Sequence, residues 1–371
     1  MDQLELFRTI AREPHVYARQ WRQDTGRPVV GMNCSSVPEE LIWAFGALPY
    51  RLIGKTPAAA GADRHLQVSC CSVVRRALED SLTNELDFLD GMVFASACDA
   101  MSRLSDIWRL NRLTPFHLDM LLPARLTGQP SRRYLPRVVA KLKSDLEHHL
   151  LMTLSSQALS RTLATQNSIR QSLSLLDDLR MSGAVQVSGA DMQAITLAAM
   201  VMDRDQAARQ LKTLLHDLEP SAKPATRRII ISGSLLTSSE LLDCVEESGA
   251  ETAAFDLCTG MRHFAGLVDE SLDPVSGLAE RCALRPVCPA RHGGLTTRTE
   301  HMKGLLRETG AAGVIFALTK FCDPHAFDIP LLSQTLAEAG VPSLVLETDE
   351  SQTLSEQMRT RCQAFVEMLS L

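Results

Sequence analysis

This 371-residue chain has ten cysteines, yet no two stand at CxxC spacing, and it has no GxGxxG or GxxxxGKS/T loop. The first absence removes the zinc-ribbon pattern. The second removes the glycine loops that cradle nucleotide phosphates, so the chain is expected not to bind ATP itself. No uncharged apolar run approaches the roughly 20 residues needed to cross a bilayer. Basic charge is not in excess either: 38 Lys and Arg stand against 44 Asp and Glu, a net charge of −6. A nucleic-acid or membrane surface would need clustered Lys and Arg, so neither partner is expected. The start, Met1-Asp2-Gln3-Leu4-Glu5-Leu6, is acidic and amphipathic, unlike the basic and then apolar opening of a signal peptide. A cytoplasmic location is the expectation.

In a reducing compartment, ten cysteines point to metal or redox duty rather than to structural disulfides. Free cysteine also packs well in cores, and about half of the ten are expected to do only that. Cys70, Cys244, Cys282 and Cys362 lie within or beside helical patterns and read as packing. The others follow strands or open helices. Ala312-Gly313-Val314-Ile315-Phe316-Ala317-Leu318 reads as a strand buried on both faces, and Cys322-Asp323 comes just after it. Leu89 to Ala97 repeats the plan and ends at Cys98-Asp99. Ligands bind at the carboxyl edge of open α/β sheets. Two matched strand-end thiols, far apart in sequence, therefore suggest one site shared by two halves.

The length suits two domains, each with its own core. Residues 1–131 read as an α/β domain. It opens with one helix over residues 2–22, a strand to Cys34, a helix capped by Ser36, and a strand at 49–53. A loop-like segment at 56–69, a helix from Cys71 and a strand at 116–123 complete it. Residues 132–224 read as a connecting segment of three or four helices with no strand. Residues 225–371 form a second α/β domain, with strands at 228–232, 251–257, 313–318 and 342–347 and a helix at 329–339. The fold class is thus two Rossmann-like domains, doubly wound around mostly parallel sheets, joined by a helical segment.

Other polar groups give weaker signals. Gly233-Ser234 follows a strand, but a lone turn of this kind is ordinary strand-to-helix geometry. Glu39 and Glu40 could do acid–base work, although acids in a helix's first turn also simply complement its dipole. His325 could hydrogen-bond behind a metal ligand. Asp99 and Asp323 read as turn caps, and Arg291-His292 as an anion contact. Single cysteines from separate strand ends can converge on an iron–sulfur cluster, for which thiolate is the usual ligand.

Four blocks carry a resemblance. These are Asn33 to Pro49 (NCSSVPEELIWAFGALP), Cys98 to Trp108 (CDAMSRLSDIW), Asp256 to Arg262 (DLCTGMR) and Lys320 to His325 (KFCDPH). They resemble, in order and over about residues 30–350, the 2-hydroxyacyl-CoA dehydratase and benzoyl-CoA reductase subunit family. The resemblance implies two Rossmann-like domains with a 4Fe–4S cluster between them, held by Cys71, Cys98 and Cys322. Cys70 competes with Cys71, but the helix start Ser-Val-Val-Arg-Arg favours Cys71. Three thiolates leave one iron free to act as a Lewis acid on a substrate oxygen. The activity implied is that of a radical 2-hydroxyacyl-CoA dehydratase, a lyase, or a related acyl-CoA reductase. A separate ATP-dependent iron–sulfur activator would inject one low-potential electron to form a ketyl radical on the thioester, and a homologous second subunit would complete a dimer. A related branch carries a double-cubane cluster in an electron-transfer reductase of small molecules, and Cys258 and Cys288 resemble its extra cysteines. Ala290 stands where another thiol is expected, so the single cluster is the first expectation and the double cubane the alternative. A partner subunit without catalysis of its own is the third.

Overall fold

The computed structural model describes residues 3–55, 60–126, 128–221, 227–291, 293–348 and 354–369. Two helices open the chain, α1 (Gln3–Arg12) and α2 (Pro14–Thr25), where periodicity predicts one. The break falls at Pro14, which has no N–H to continue a helix but is well placed in the first turn of a new one.

The first half then alternates strand and helix: β1 (Val29–Met32), α3 (Glu39–Ala44), β2 (Leu48–Arg51), α4 (Ala60–Asp63), α5 (Ser72–Leu82), β3 (Gly91–Ala95), α6 (Asp99–Asn111) and β4 (Phe116–Met120). Ser36 does not cap α3; the residue before it is Pro38, and no side chain caps it. The loop predicted at 56–69 contains α4, and residues 56–59 lie outside the described residues. Four helices follow as expected, α7 (Gln129–His149), α8 (Ser156–Met181), α9 (Gly189–Ala199) and α10 (Arg204–Asp217).

The second half contains β5 (Arg227–Gly233), α11 (Glu240–Glu247), β6 (Ala250–Asp256), α12 (Met261–Phe264), α13 (Pro274–Leu284), α14 (Leu295–Thr309), β7 (Gly313–Thr319), α15 (Asp323–Glu338), β8 (Ser343–Thr348) and α16 (Glu356–Met368). Helix α15 begins at Asp323, six residues earlier than the pattern predicts. Pro324 suits its first turn, and the helix continues through Pro330.

Both sheets are parallel throughout and share one plan, β2-β1-β3-β4 and β6-β5-β7-β8. The domains are thus Rossmann-like, as predicted. β1 and β3 are buried at every position, which is why they read as unbroken apolar runs; β2 is buried throughout as well but ends in Arg51. One apolar core runs through both halves and the helices between them: Val29 and Tyr50, Ile195 and Leu211, Ile229 and Ile315 belong to a single cluster. In this strand order the chain reverses direction between β1 and β3, and again between β5 and β7. The crevice at such a switch point, outside the strands' carboxyl ends, is where α/β sheets bind ligands.

Candidate functional site

The carboxyl ends of the two sheets meet at one cavity. Cys34 follows β1, Arg51 ends β2 and Cys98 follows β3; Ser234, Cys258 and Cys322 follow β5, β6 and β7. All six line the same cavity of about 100 Å³, together with Cys71, Cys288 and His325. Six thiols thus ring one space between the halves. Cys98 and Cys322 hold equivalent places, each at the switch point of its own sheet.

The six divide by what lies beyond them. Cys71, Cys98 and Cys322 also border an outer cleft of about 510 Å³ that opens past Pro289, Phe321 and Phe327. Its charged lining residues are Asp99, Asp323 and Asp328, the last bonded to Arg298 at 3.1 Å. Cys34, Cys258 and Cys288 lie instead against a small space lined by Arg51, Arg262, Arg285 and Arg291.

Local structure explains the first three. Cys71, Cys98 and Cys322 are the residues before α5, α6 and α15, so three helix N-termini point at the cavity. The positive end of a helix favours an anionic group. Amides of Val73 and Val74 at Cys71, Met101 at Cys98 and His325 at Cys322 favour the thiolates, although none makes a full capping hydrogen bond. Burial works the other way and wins. It pushes Cys98 up to about 12 and raises Cys71 and Cys322, and the neighbouring thiols push in the same direction. Thiolates crowded this way need a cation among them.

Among the described residues, no three His, Cys, Asp or Glu side chains converge tightly enough to hold a single metal ion. The thiols ring a space rather than meet at a point. That arrangement suits a polynuclear cluster, which spreads its ligands.

Guanidinium groups supply the matching charge. Arg262 donates to Gly233 O at 2.8 Å, approaches Cys258 Sγ at 3.9 Å and pairs with buried Asp256 at 2.8 Å. Arg291 donates to Pro123 O at 3.0 Å, and Arg285 to the backbone oxygen of Arg262. Arg51 is different. It is 4% exposed, and its Nε and Nη1 have no hydrogen-bond partner. Cys34 and Cys258, once ionised, are the groups that would favour its charge most strongly. Burial alone would raise Cys34, but Arg51, Arg285 and two contacts to Ser36 outweigh it and lower the thiol's pKa. A buried charge without a partner is strongly disfavoured, so the site fits an anionic group on the Cys34, Cys258 and Cys288 side.

Several residues singled out in the sequence lie elsewhere. Glu39 and Glu40 are buried in ion pairs with Arg204 and Arg170 and do not line the thiol cavity. Cys70 packs against the core and is outside the cavity lining, whereas Cys71 is in it. Cys244 and Cys362 face each other between α11 and α16. Ser234 lines the cavity but bonds Thr319 at 2.8 Å. His325 reaches the cavity and is held neutral by burial, with Arg262 and Arg298 adding to the effect. Asp99 and Asp323 stay at the outer rim. Arg291 contacts backbone carbonyls, and His292 lies outside the described residues. The sequence shows that Cys34 follows a strand but not which thiols it joins, and sequence reasoning misses Arg51 altogether. The signal for Cys34 is a cysteine at the end of the strand that flanks the switch point.

Comparison with known proteins places these observations in context. Residues 34–369 match the family described as 2-hydroxyglutaryl-CoA dehydratase, D-component. The chain is 25% identical to the (R)-phenyllactyl-CoA dehydratase beta subunit of Clostridium sporogenes, over 98% of this chain and 97% of that one. It is 25% identical to a benzoyl-CoA reductase subunit of Thauera aromatica, covering 95% and 94% of the two chains. It is also 22% identical to the putative dehydratase subunit YjiM of Escherichia coli K12, covering 94% and 93%.

Proposed function

Because the chain belongs to the 2-hydroxyglutaryl-CoA dehydratase D-component family, we propose that it is an iron–sulfur subunit of the ATP-activated radical type. It takes single low-potential electrons from a separate iron–sulfur ATPase and works beside a homologous second subunit. Relatives that are themselves named as subunits support the need for a partner. The observation that carries the reading is the ring of six thiols at the facing sheet edges.

Cys71, Cys98 and Cys322 would hold one cluster, from three helix N-termini. Cys34, Cys258 and Cys288 would hold a second, beside the arginines. Bound there, such a group supplies one-electron chemistry that side chains cannot perform. The protein's own part is to exclude bulk water, to present helix dipoles and guanidiniums to the negative charge, and to keep His325 neutral at the wall.

The six thiols favour the double-cubane alternative over the single cluster, and the outer cleft favours a small substrate over a thioester. The inner space of about 100 Å³ is the one the clusters would fill, so a substrate would sit in the outer cleft. The outer cleft is large enough, but its charged lining residues are carboxylates, which repel the phosphates of CoA. The acyl-CoA reading of the relatives' names would therefore need the second subunit to supply the basic surface.

The test is iron and sulfide per chain after anaerobic purification, followed by turnover with activator and ATP. About eight irons, two 4Fe–4S units, with reduction of small molecules, is expected. About four irons with dehydration of an acyl-CoA would restore the single-cluster reading. Zinc as the only metal, after anaerobic reconstitution, would end both.

A further inference from the structure

We propose that Arg51 is the counter-charge of the group held by Cys34, Cys258 and Cys288, a positioning residue that raises that group's reduction potential and helps to retain it. The inference rests on the two-cluster reading and adds a residue that neither the thiols nor the family comparison identifies.

Arg51 is the last residue of β2, in register with Met32 of β1, and Cys34 lies two residues beyond Met32. Its main chain is fixed by the sheet, and its amide donates to Met200 O at 3.4 Å. The side chain lines the cavity. Other buried arginines also leave guanidinium nitrogens unsatisfied, Arg170 at the same Nε and Nη1 and Arg204 at Nε, but each of them holds a carboxylate. Arg204 bonds Glu39 and backbone carbonyls, Arg170 bonds Glu40, and Arg298 bonds Asp328 and Asp256. Arg51 has Nε and Nη1 unsatisfied while it borders both the thiol cavity and the arginine-lined space next to it.

A guanidinium is always charged and its donors need acceptors. Folding buries this one beside thiols, and of the acidic side chains only Glu39 acts on it appreciably; that carboxylate is already bonded to Arg204 and Gln166. Thiolates and inorganic sulfide bound at Cys34, Cys258 and Cys288 would supply both the negative charge and the acceptors. Adding an electron makes that group more negative, so a fixed cation beside it favours the reduced form and raises the potential.

The consequence is a sign reversal that a purely structural residue would not show. Without the cluster, Arg51 is a buried unpaired charge, and Arg51→Met, which keeps the length of the stem, should stabilise the chain. With the cluster, the same substitution removes its counter-charge.

The experiment uses full-length protein, as isolated and after chelator stripping, for wild type, Arg51→Met and Arg51→Lys. Iron per chain, melting temperature and midpoint potential in a dithionite titration followed by EPR are measured. Stripped Arg51→Met is expected to melt above stripped wild type. Loaded Arg51→Met is expected to lose iron faster. One midpoint should shift downward by about 59 mV or more, a tenfold change in the oxidised-to-reduced ratio, with Arg51→Lys between the two. A stripped Arg51→Met that is less stable than wild type, or fails to fold, overturns the proposal. So do unchanged potentials in protein carrying about eight irons, which would leave the two-cluster reading intact. A wild type with about four irons, unaffected by Cys34→Ser, overturns that reading and this one with it.

Discussion

Arg204 Nη2 donates to Glu39 Oε2 at 2.8 Å, joining residues 165 apart in sequence at the inner end of the helical segment. The same guanidinium donates to the carbonyls of Pro49, Met200 and Met202 at 3.1, 3.2 and 2.8 Å. On the other side, Gln166 donates to Glu39 Oε1 at 2.6 Å, and Arg170 pairs with Glu40. Helices α8 and α10 are thereby pinned to α3 and to β2, the strand that carries Arg51. The two acids of α3 act as a clamp between the first sheet and the helices that cross to the second.

Glu39→Ala should therefore act on stability. Removing one member of a buried ion pair leaves an uncompensated charge and costs about 3–5 kcal/mol. We expect urea unfolding of the stripped protein to shift by about that amount, while iron per chain in the folded fraction stays at the wild-type value. Loss of turnover with full stability would instead return Glu39 to a catalytic role.

A second prediction concerns Gly233, the last residue of β5. A Cβ built there would lie 2.6 Å from the carbonyl oxygen of Ala317 on β7, and backbone oxygen cannot move aside as a side-chain tip can. The Gly233 carbonyl also accepts from Arg262 at 2.8 Å. Gly233→Ala should cost about 1–3 kcal/mol by overpacking and lower iron retention through Arg262. Unchanged thermal unfolding would show that the two strands can part without loss.

Both residues show what a sequence can and cannot disclose. The strands were legible because parallel strands buried on both faces are continuous apolar runs, as in Ile229-Ile230-Ile231 and Gly313 to Leu318. The paired Cys-Asp sites were legible because strand end and helix start are adjacent in the chain. Glu39 and Glu40 read as ordinary first-turn acids, since their partners lie 127 to 165 residues away. Arg51 resembles a solvent-facing strand terminus, and its neighbours Met200, Cys258 and Arg285 come from far along the chain. Helix α12 is a single turn, and the apolar positions of α13, α14 and α16 carry little periodic signal, so a sequence reading passes over them.

The buried histidines set a pH dependence. His263 has its pKa held well below 6.5 by burial, and Arg204 and Arg170 push it the same way. Above 6.5, neither folded nor unfolded chain protonates it, and stability is complete. As pH falls below 6.5 the unfolded chain takes up a proton that the folded chain refuses. Stability then declines, at up to about 1.4 kcal/mol per pH unit, until the folded pKa is reached. His15 and His325 are lowered by burial as well and add in the same sense. Denaturation midpoints of the stripped protein should fall between pH 7.5 and pH 5.5, and less steeply in His263→Gln. A flat profile would mean that the site admits the proton.

The most direct test of the thiol sorting exploits the positions of three of them. Cys71, Cys98 and Cys322 are helix N-cap residues, and serine is among the best residues at an N-cap. Cys→Ser at each should leave its helix intact, or slightly better capped, while replacing a soft thiolate by a hydroxyl that holds iron poorly. Iron should therefore fall in Cys71→Ser, Cys98→Ser and Cys322→Ser without a matching fall in melting temperature of the stripped protein. It should fall as well in Cys34→Ser, Cys258→Ser and Cys288→Ser, whose thiols line the same cavity from the arginine side. Cys70→Ser separates the adjacent pair and should leave iron unchanged. Cys244→Ser and Cys362→Ser, buried between α11 and α16, should lose about 1 kcal/mol of stability and no iron. Equal iron in all nine proteins would refute the sorting. Loss confined to the first three, with Cys34, Cys258 and Cys288 indifferent, would reduce the ring of six to a single cluster.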